Sequence, residues 1–200
     1  MMNKKTDITL DYYNTEAAQF TERTQHSDFS ELRNVFYSYI KPHGHILDLG
    51  CGCGRDSKVF LDAGYTVTAV DGSEALCKMA SEFIGQDVIC STFQDYKPTE
   101  KFDGIWACAA LLHLSEDDII SVMKKLAKNL RSGGCFFASF KYGDFEGIRK
   151  ERFFYDMTEK KFQKLLKKLP EYKIITAKIG QDVRPGREDE MWLYTFLKRI

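Results

Sequence analysis

The segment that most constrains the fold is Ile46-Leu47-Asp48-Leu49-Gly50-Cys51-Gly52-Cys53-Gly54, where an apolar run ends in an acid and breaks into alternating glycines. A helix-compatible stretch follows over residues 55–63, and a second apolar run, Val67-Thr68-Ala69-Val70, ends in Asp71. Strand, glycine turn, helix, strand, acid is the order that holds the adenosine end of a cofactor at the carboxyl edge of a parallel sheet. Glycines there let backbone approach a ligand with no Cβ between them. Dinucleotide folds use G-x-G-x-x-G, whereas Gly50, Gly52 and Gly54 alternate, with Asp48 two residues ahead of the first.

In these residues the chain resembles the class I (Rossmann-like) S-adenosylmethionine-dependent methyltransferases. The matching segments are Asp48-Leu49-Gly50-Cys51-Gly52-Cys53-Gly54-Arg55-Asp56, Val70-Asp71-Gly72-Ser73, Phe102-Asp103-Gly104-Ile105-Trp106, Leu111-Leu112-His113-Leu114 and Leu130-Arg131-Ser132-Gly133-Gly134. The resemblance spans about residues 9–199. Within the superfamily the chain looks like the small bacterial tellurite- and thiopurine-methyltransferase group. The resemblance implies an α/β, doubly wound, seven-stranded and mostly parallel sheet of order 3-2-1-4-5-7-6, with the last strand antiparallel and helices on both faces. It also implies S-adenosyl-L-methionine as cofactor.

Two hundred residues suit one domain with a full core, read as a helical lid or cap over about 1–41 and a sheet core over 45–199. Lysine plus arginine equals aspartate plus glutamate, 29 each, so no basic excess drives nonspecific nucleic-acid binding. The first residues lack the apolar stretch of a secretion signal, and no apolar run nears the ~20 residues of a membrane helix. These features make a cytoplasmic chain the expectation. Cys77, Cys90, Cys108 and Cys135 lie in apolar surroundings and read as buried reduced thiols. Cys51 and Cys53 are one residue apart, too close for a C-x-x-C site, and no metal is expected.

Helix and strand patterns alternate along the chain, which argues for α/β. Helices are expected over about 10–23, from Asp28 with Glu31 as a capping box, over 55–63, from Ser73 to Gly85, from Ser115, and from Thr158. Strands are expected at 45–49, 65–70, 87–90, 102–108, 135–140, 173–178 and 191–198. Lys160, Lys161, Lys164, Lys167 and Lys168 lie opposite the apolar stripe of the last helix and read as a solvated face.

For the cofactor, Gly50, Gly52 and Gly54 form the turn, and the helix beginning near Arg55 presents free N–H groups suited to a carboxylate. Asp71, with Gly72 and Ser73 after it, stands where a carboxylate accepts the ribose hydroxyls; capping the following helix is its other reading. The resemblance puts Asp48 near the methionine amino group, with pinning of the glycine turn as the alternative. It sets Thr92, Phe93 and Gln94 along the adenine and the Ala107, Cys108 and Ala109 backbone beside the methionine tail. Tyr13, His113 and Asp144 are candidates for a base, His113 being read as structural first. The acceptor pocket is expected from Tyr12, Tyr13 and Phe20, from residues 141–155, and from residues 182–192; their aromatics and arginines (Tyr142, Arg149, Arg152, Tyr155, Arg184, Arg187) suit a polar small molecule with an anionic part. The function implied is transfer of a methyl group to a small-molecule acceptor. An RNA-base or nucleotide methyltransferase and a noncatalytic S-adenosylmethionine-binding module are the alternatives, nucleic acid being disfavoured by charge; no oligomeric state is assigned.

Overall fold

The computed structural model describes residues 4–184 and 186–200. The chain runs through α1 (Lys4–Thr15), α2 (Ala17–Thr24), α3 (Ser30–Tyr37), β1 (His45–Leu49), α4 (Arg55–Asp62), β2 (Thr66–Asp71), α5 (Glu74–Ile84), β3 (Ile89–Cys90) and β4 (Phe102–Ala107). A 3-10 turn (Leu111–His113), α6 (Glu116–Ala127), β5 (Leu130–Lys141), β6 (Glu146–Arg149), β7 (Arg152–Tyr155), α7 (Glu159–Leu166), β8 (Tyr172–Gln181) and β9 (Met191–Arg199) follow. No helix among the described residues is long and apolar enough to cross a membrane.

Seven strands form one sheet in the order β3-β2-β1-β4-β5-β9-β8. All pairs are parallel except those of β9, which runs antiparallel to both β5 and β8. This is the expected topology. Strand order reverses between β1 and β4, which opens a crevice at the carboxyl ends of these strands. The sheet interior reads as continuous apolar sequence because both faces are covered. On one face α3 and α4 bring Phe36 and Phe60 onto Trp106, at ring distances of 5.2 and 5.6 Å. On the other, Phe136 meets Tyr172 at 5.6 Å, and the Tyr172 hydroxyl donates to the Met123 carbonyl of α6 at 2.8 Å.

Several expectations need correction. The helix expected over 10–23 is two helices that break at Glu16, after the weak helix formers Asn14 and Thr15. The Asn14 side chain serves another helix instead: its Oδ1 accepts the Ser73 hydroxyl at 2.7 Å and the Ala75 N–H at 3.3 Å. The capping box at Asp28 does not close. Asp28 accepts the Ser30 N–H at 2.7 Å, Phe29 stands at the cap position, and Glu31 reaches Lys178 at 3.0 Å. Helix α3 packs on the sheet, with Phe36 fully buried in the core. Helices α1 and α2 contribute residues to the crevice lining and bury little beyond Thr9, Ala17 and Thr24. Cys90 is exposed because β3 is a two-residue strand at the sheet edge, and Cys108 is half-buried. Lys160, Lys164, Lys167 and Lys168 are exposed, the solvated face expected of them.

The segment 141–155 holds a hairpin that the sequence patterning missed. Strands β6 and β7 pair antiparallel, with Arg149 opposite Arg152. Their turn is Lys150-Glu151, at φ +49° and +57°. Both positive values suit a type I′ turn, yet the usual Asn or Gly is absent.

Candidate active site

The glycine turn is tied to the second strand. The N–H groups of Gly50 and Cys51 both donate to the Val70 carbonyl, at 2.8 and 3.0 Å. Gly50 has φ +79°, and a Cβ on it would lie 2.6 Å from Ala110 Cβ and 3.0 Å from the Phe93 ring. Gly52 has φ +55°, with the Phe20 ring 3.2 Å from where its Cβ would stand. Gly54 differs. It precedes α4 in the left-handed region, and its Cβ would meet Ile84 at 2.8 Å and Ala80 at 3.3 Å, so it seats α4 on α5 and lies outside the cavity lining.

A cavity of about 490 Å³ runs from this turn to the β6–β7 hairpin. That volume falls within the roughly 300–1,000 Å³ of small-molecule sites. Asp48, Arg55, Asp71, Gly72, Thr92, Phe93, Gln94, Cys108 and Ala109 line it together with Gly50 and Gly52. Ser73, Ala107 and Asp144 do not. Ser73 caps α5 by accepting the Leu76 N–H, Ala107 is fully buried in β4, and Asp144 is exposed.

The Asp71 carboxylate accepts the Gly52 N–H on Oδ2 and the Ser73 N–H on Oδ1, each at 2.9 Å. One acid thus holds the glycine turn and the start of α5, and each oxygen keeps acceptor capacity toward the cavity. Burial raises its pKa. Asp48 accepts the Ser57 hydroxyl at 2.6 Å, and burial, reinforced by the neighbouring Asp56 charge, pushes its pKa up to about 7. Arg55 is fixed by Asp56 at 2.5 Å and stacks over Phe29 at 4.0 Å. Asp56 also takes Arg33 at 2.6 Å and the Trp106 indole N–H at 2.9 Å, so its three cationic or polar partners compensate its burial.

After β3, the Thr92 hydroxyl donates to Asp95 at 2.7 Å. The Lys125 ammonium donates to the carbonyls of Phe93 and Gln94, at 2.8 Å each, and so holds that loop. Gln94 Oε1 is buried with no hydrogen-bond partner among the described residues. At the end of β4, Ala109 has φ +52°, held by its N–H bond to Ser139 Oγ at 2.7 Å. A non-glycine residue in that region costs of order 1–3 kcal/mol and persists only where the surroundings enforce it. Lys125 and Ser139 carried no sequence signal: one reads as a helix-surface charge, the other as a small residue within an apolar strand.

Tyr13 and His113 meet. The Tyr13 hydroxyl lies 2.9 Å from His113 Nε2, and His113 Nδ1 lies 2.7 Å from the Phe153 carbonyl. A carbonyl only accepts, so Nδ1 carries the proton and Nε2 accepts from Tyr13. Burial, with smaller help from Arg152 and Arg149, lowers the His113 pKa to about 4. The imidazole is therefore neutral near pH 7. Burial also raises the Tyr13 pKa, which keeps it a phenol.

Tyr12, Tyr13, Phe20, Phe154, Trp192 and Tyr194 supply the aromatic walls of the cavity, with Phe20 over Gly52. Tyr142 and Tyr155, expected there, are outside the lining: their hydroxyls donate to Glu159 and Glu116.

Comparison with known proteins agrees with this fold. Residues 46–134 match a family model described as a methyltransferase domain. An uncharacterized methyltransferase of Staphylococcus carnosus is 24% identical over 193 residues, covering 88% of this chain and 93% of that protein. The chain spans about half the length of other curated relatives it matches. Among solved structures, the 1,6-didemethyltoxoflavin-N1-methyltransferase of Burkholderia thailandensis, with bound 1,6-didemethyltoxoflavin and S-adenosylhomocysteine, superposes with TM-score 0.73. It is 19% identical, with 98% of this chain and 86% of that one covered. TehB of Haemophilus influenzae superposes at TM-score 0.69 and 16% identity, with coverage of 92% and 67%.

Proposed function

We propose that this chain, whose residues 46–134 match a methyltransferase-domain model and whose fold is that of class I S-adenosylmethionine-dependent methyltransferases, transfers a methyl group to a small-molecule acceptor held between Tyr13 and the β6–β7 hairpin. The observation that carries this reading is the continuity of one cavity from the Gly50–Asp71 cradle to the Tyr13–His113 pair.

The residues fit the cofactor. Glycines at positive φ leave room for its tail and ribose, and Asp71 has acceptor capacity for the ribose hydroxyls. Gln94 Oε1, orphaned and buried, suits the exocyclic amine of adenine. The Arg55 guanidinium suits a carboxylate, and Asp48 an ammonium group. When bound, the cofactor supplies an activated methyl on a sulfonium. The chain's own work is to orient the acceptor, exclude water and hold a proton. Helices α1 and α2 serve as the cap, with Phe20 over Gly52 and Tyr13 over the acceptor. An acceptor that loses a proton passes it to the Tyr13 oxygen as the Tyr13 proton moves to His113 Nε2.

Asp48 provides a direct check on cofactor placement. With a pKa of about 7 it is roughly half protonated near pH 7, and a nearby ammonium would favour its ionised form. Calorimetry of S-adenosylmethionine binding, in buffers of different ionisation enthalpy, is expected to show proton release near pH 7 that Asp48→Asn abolishes. Equal proton counts in both proteins would remove Asp48 from the amino-group site.

The reaction itself is tested with methyl-labelled S-adenosylmethionine offered with thiols, metalloid oxyanions, amines, aromatic acids and transfer RNA. Label in a small molecule is the expected result. Label only in RNA, or tight cofactor binding without transfer to any acceptor, would overturn the small-molecule reading.

A further inference from the structure

The acceptor end of the cavity holds more positive charge than its own acids neutralise. Lys141, Arg149, Lys150, Arg152, Arg184 and Arg187 line it, against Asp182 and Glu190. Most of the cations are spoken for. Arg184 is bidentate on Asp182, Lys141 and Arg187 share Glu190, and Arg149 is bidentate on Asp156 at 2.9 and 3.1 Å. Arg152 has no carboxylate within ion-pair distance among the described residues. Its guanidinium lies over the Tyr12 ring at 4.2 Å and near the Phe154 ring at 5.2 Å. Among the described residues its hydrogen bonds are two long ones, to the Lys150 carbonyl and the Tyr13 hydroxyl, each at 3.4 Å. A guanidinium has five N–H donors in a fork suited to a carboxylate, so most of this one's donors are unused.

The backbone maintains this arrangement against two penalties. Arg149 and Arg152 stand directly opposite each other across the hairpin, and like charges in that position are destabilising. The turn joining them puts two non-glycine residues at positive φ. A strained turn thus holds two guanidiniums on the cavity wall, Arg149 paired with Asp156 and Arg152 with no carboxylate among the described residues, which leaves a place for an anion on Arg152.

We propose that the Arg149–Arg152 rung is an anion subsite and that the methyl acceptor is a small aromatic acid, its carboxylate on the free edge of Arg152 and its ring among Tyr12, Tyr13 and Phe154. This rests on the methyltransferase reading of the cavity and names its substrate class. The bound carboxylate would cancel the positive field that helps depress the basicity of His113, so binding the acid also readies the Tyr13–His113 pair. In the transfer the carbon–sulfur bond breaks and its electron pair stays on the neutral thioether, the ring hydroxyl oxygen forms the new bond to the methyl carbon, its proton goes to the Tyr13–His113 pair, and the carboxylate stays ionised on Arg152.

The probes are 4-hydroxybenzoate and its neutral amide, 4-hydroxybenzamide, titrated into protein saturated with S-adenosylhomocysteine. The acid is expected to bind at least about tenfold tighter than the amide. Arg152→Gln should weaken the acid by about 10- to 100-fold, the loss of a charge-assisted pair. Arg152→Lys, which keeps the charge without the fork, should fall between. S-adenosylhomocysteine affinity is measured on every variant. If it fails in the wild-type protein, the methyltransferase reading fails; if it is unchanged in Arg152→Gln, the fold is intact and the anion result stands alone. Equal binding of acid and amide, no effect of Arg152→Gln, or no binding by 4-hydroxybenzoate and related aromatic acids would each overturn the proposal.

Discussion

His113→Asn is expected to lower kcat by about 10²- to 10⁴-fold for a hydroxyl or amine acceptor, the usual worth of a positioned proton acceptor. Asparagine is chosen because its amide N–H can keep the bond to the Phe153 carbonyl while removing the Nε2 lone pair that receives the Tyr13 proton. Tyr13→Phe should produce a loss of similar size. The double variant should lose little more than either single one, because the two residues act as one unit. S-adenosylhomocysteine affinity should stay near the wild-type value, since neither residue is in the Gly50–Asp71 cradle. The pH profile adds a second readout. Protonation of Nε2 requires the pH to approach about 4, so this pair remains active through the neutral range. The same depressed pKa contributes stability that is present above the ordinary histidine value of about 6.5 and is lost as the pH falls toward about 4, where the unfolded chain binds the proton first. His113→Asn should therefore flatten the fall of melting temperature over that window. Unaltered turnover in His113→Asn would reduce the residue to a packing role.

The cofactor half of the site was legible in the sequence because each part of it is written locally. The apolar run into Asp48, the alternating glycines and the strand ending at Asp71 need no distant residue to be recognised, and β1, α4 and β2 fall where they were expected. The strand order came from resemblance, since periodicity carries no information about which strands are neighbours. The acceptor half was only sketched. Tyr12, Tyr13 and Phe20 lie on the cavity wall, yet the helix bearing them breaks at Glu16 because Asn14 bonds to the start of α5. The β6–β7 hairpin was missed for a physical reason. Its strands are four residues each, Ile148 is exposed, and its turn lacks the residues that normally mark one. Ser139, Lys125 and the unpaired Gln94 oxygen depend on contacts about 30 residues away in sequence or on a missing contact, and neither leaves a local pattern.

Three glycines that look alike in sequence should respond differently to the same substitution, and this separates binding from folding. Gly52→Val is expected to reduce S-adenosylhomocysteine affinity by more than about 100-fold in calorimetry while circular dichroism stays native. The residue is at φ +55°, so a β-branched side chain carries a conformational cost of about 1–3 kcal/mol, and the obstructing neighbour is the Phe20 ring of the cap. That ring can move with α2, so the fold accommodates the change, but the branch then stands in the cavity beside the N–H that Asp71 holds. Gly54→Val meets Ile84 at 2.8 Å and Ala80 at 3.3 Å in the packed seam between α4 and α5, which cannot give in the same way. Overpacking there adds about 1–3 kcal/mol to the backbone cost, and the loss should appear as a lowered melting temperature before any binding is measured. Gly50→Val combines both defects, because its Cβ would sit 2.6 Å from Ala110 at the end of the crevice. A Gly52→Val protein that folds and still binds with wild-type affinity would show that the turn does not cradle the cofactor, and a Gly54→Val protein of unchanged stability would contradict its role as the seat of α4 on α5.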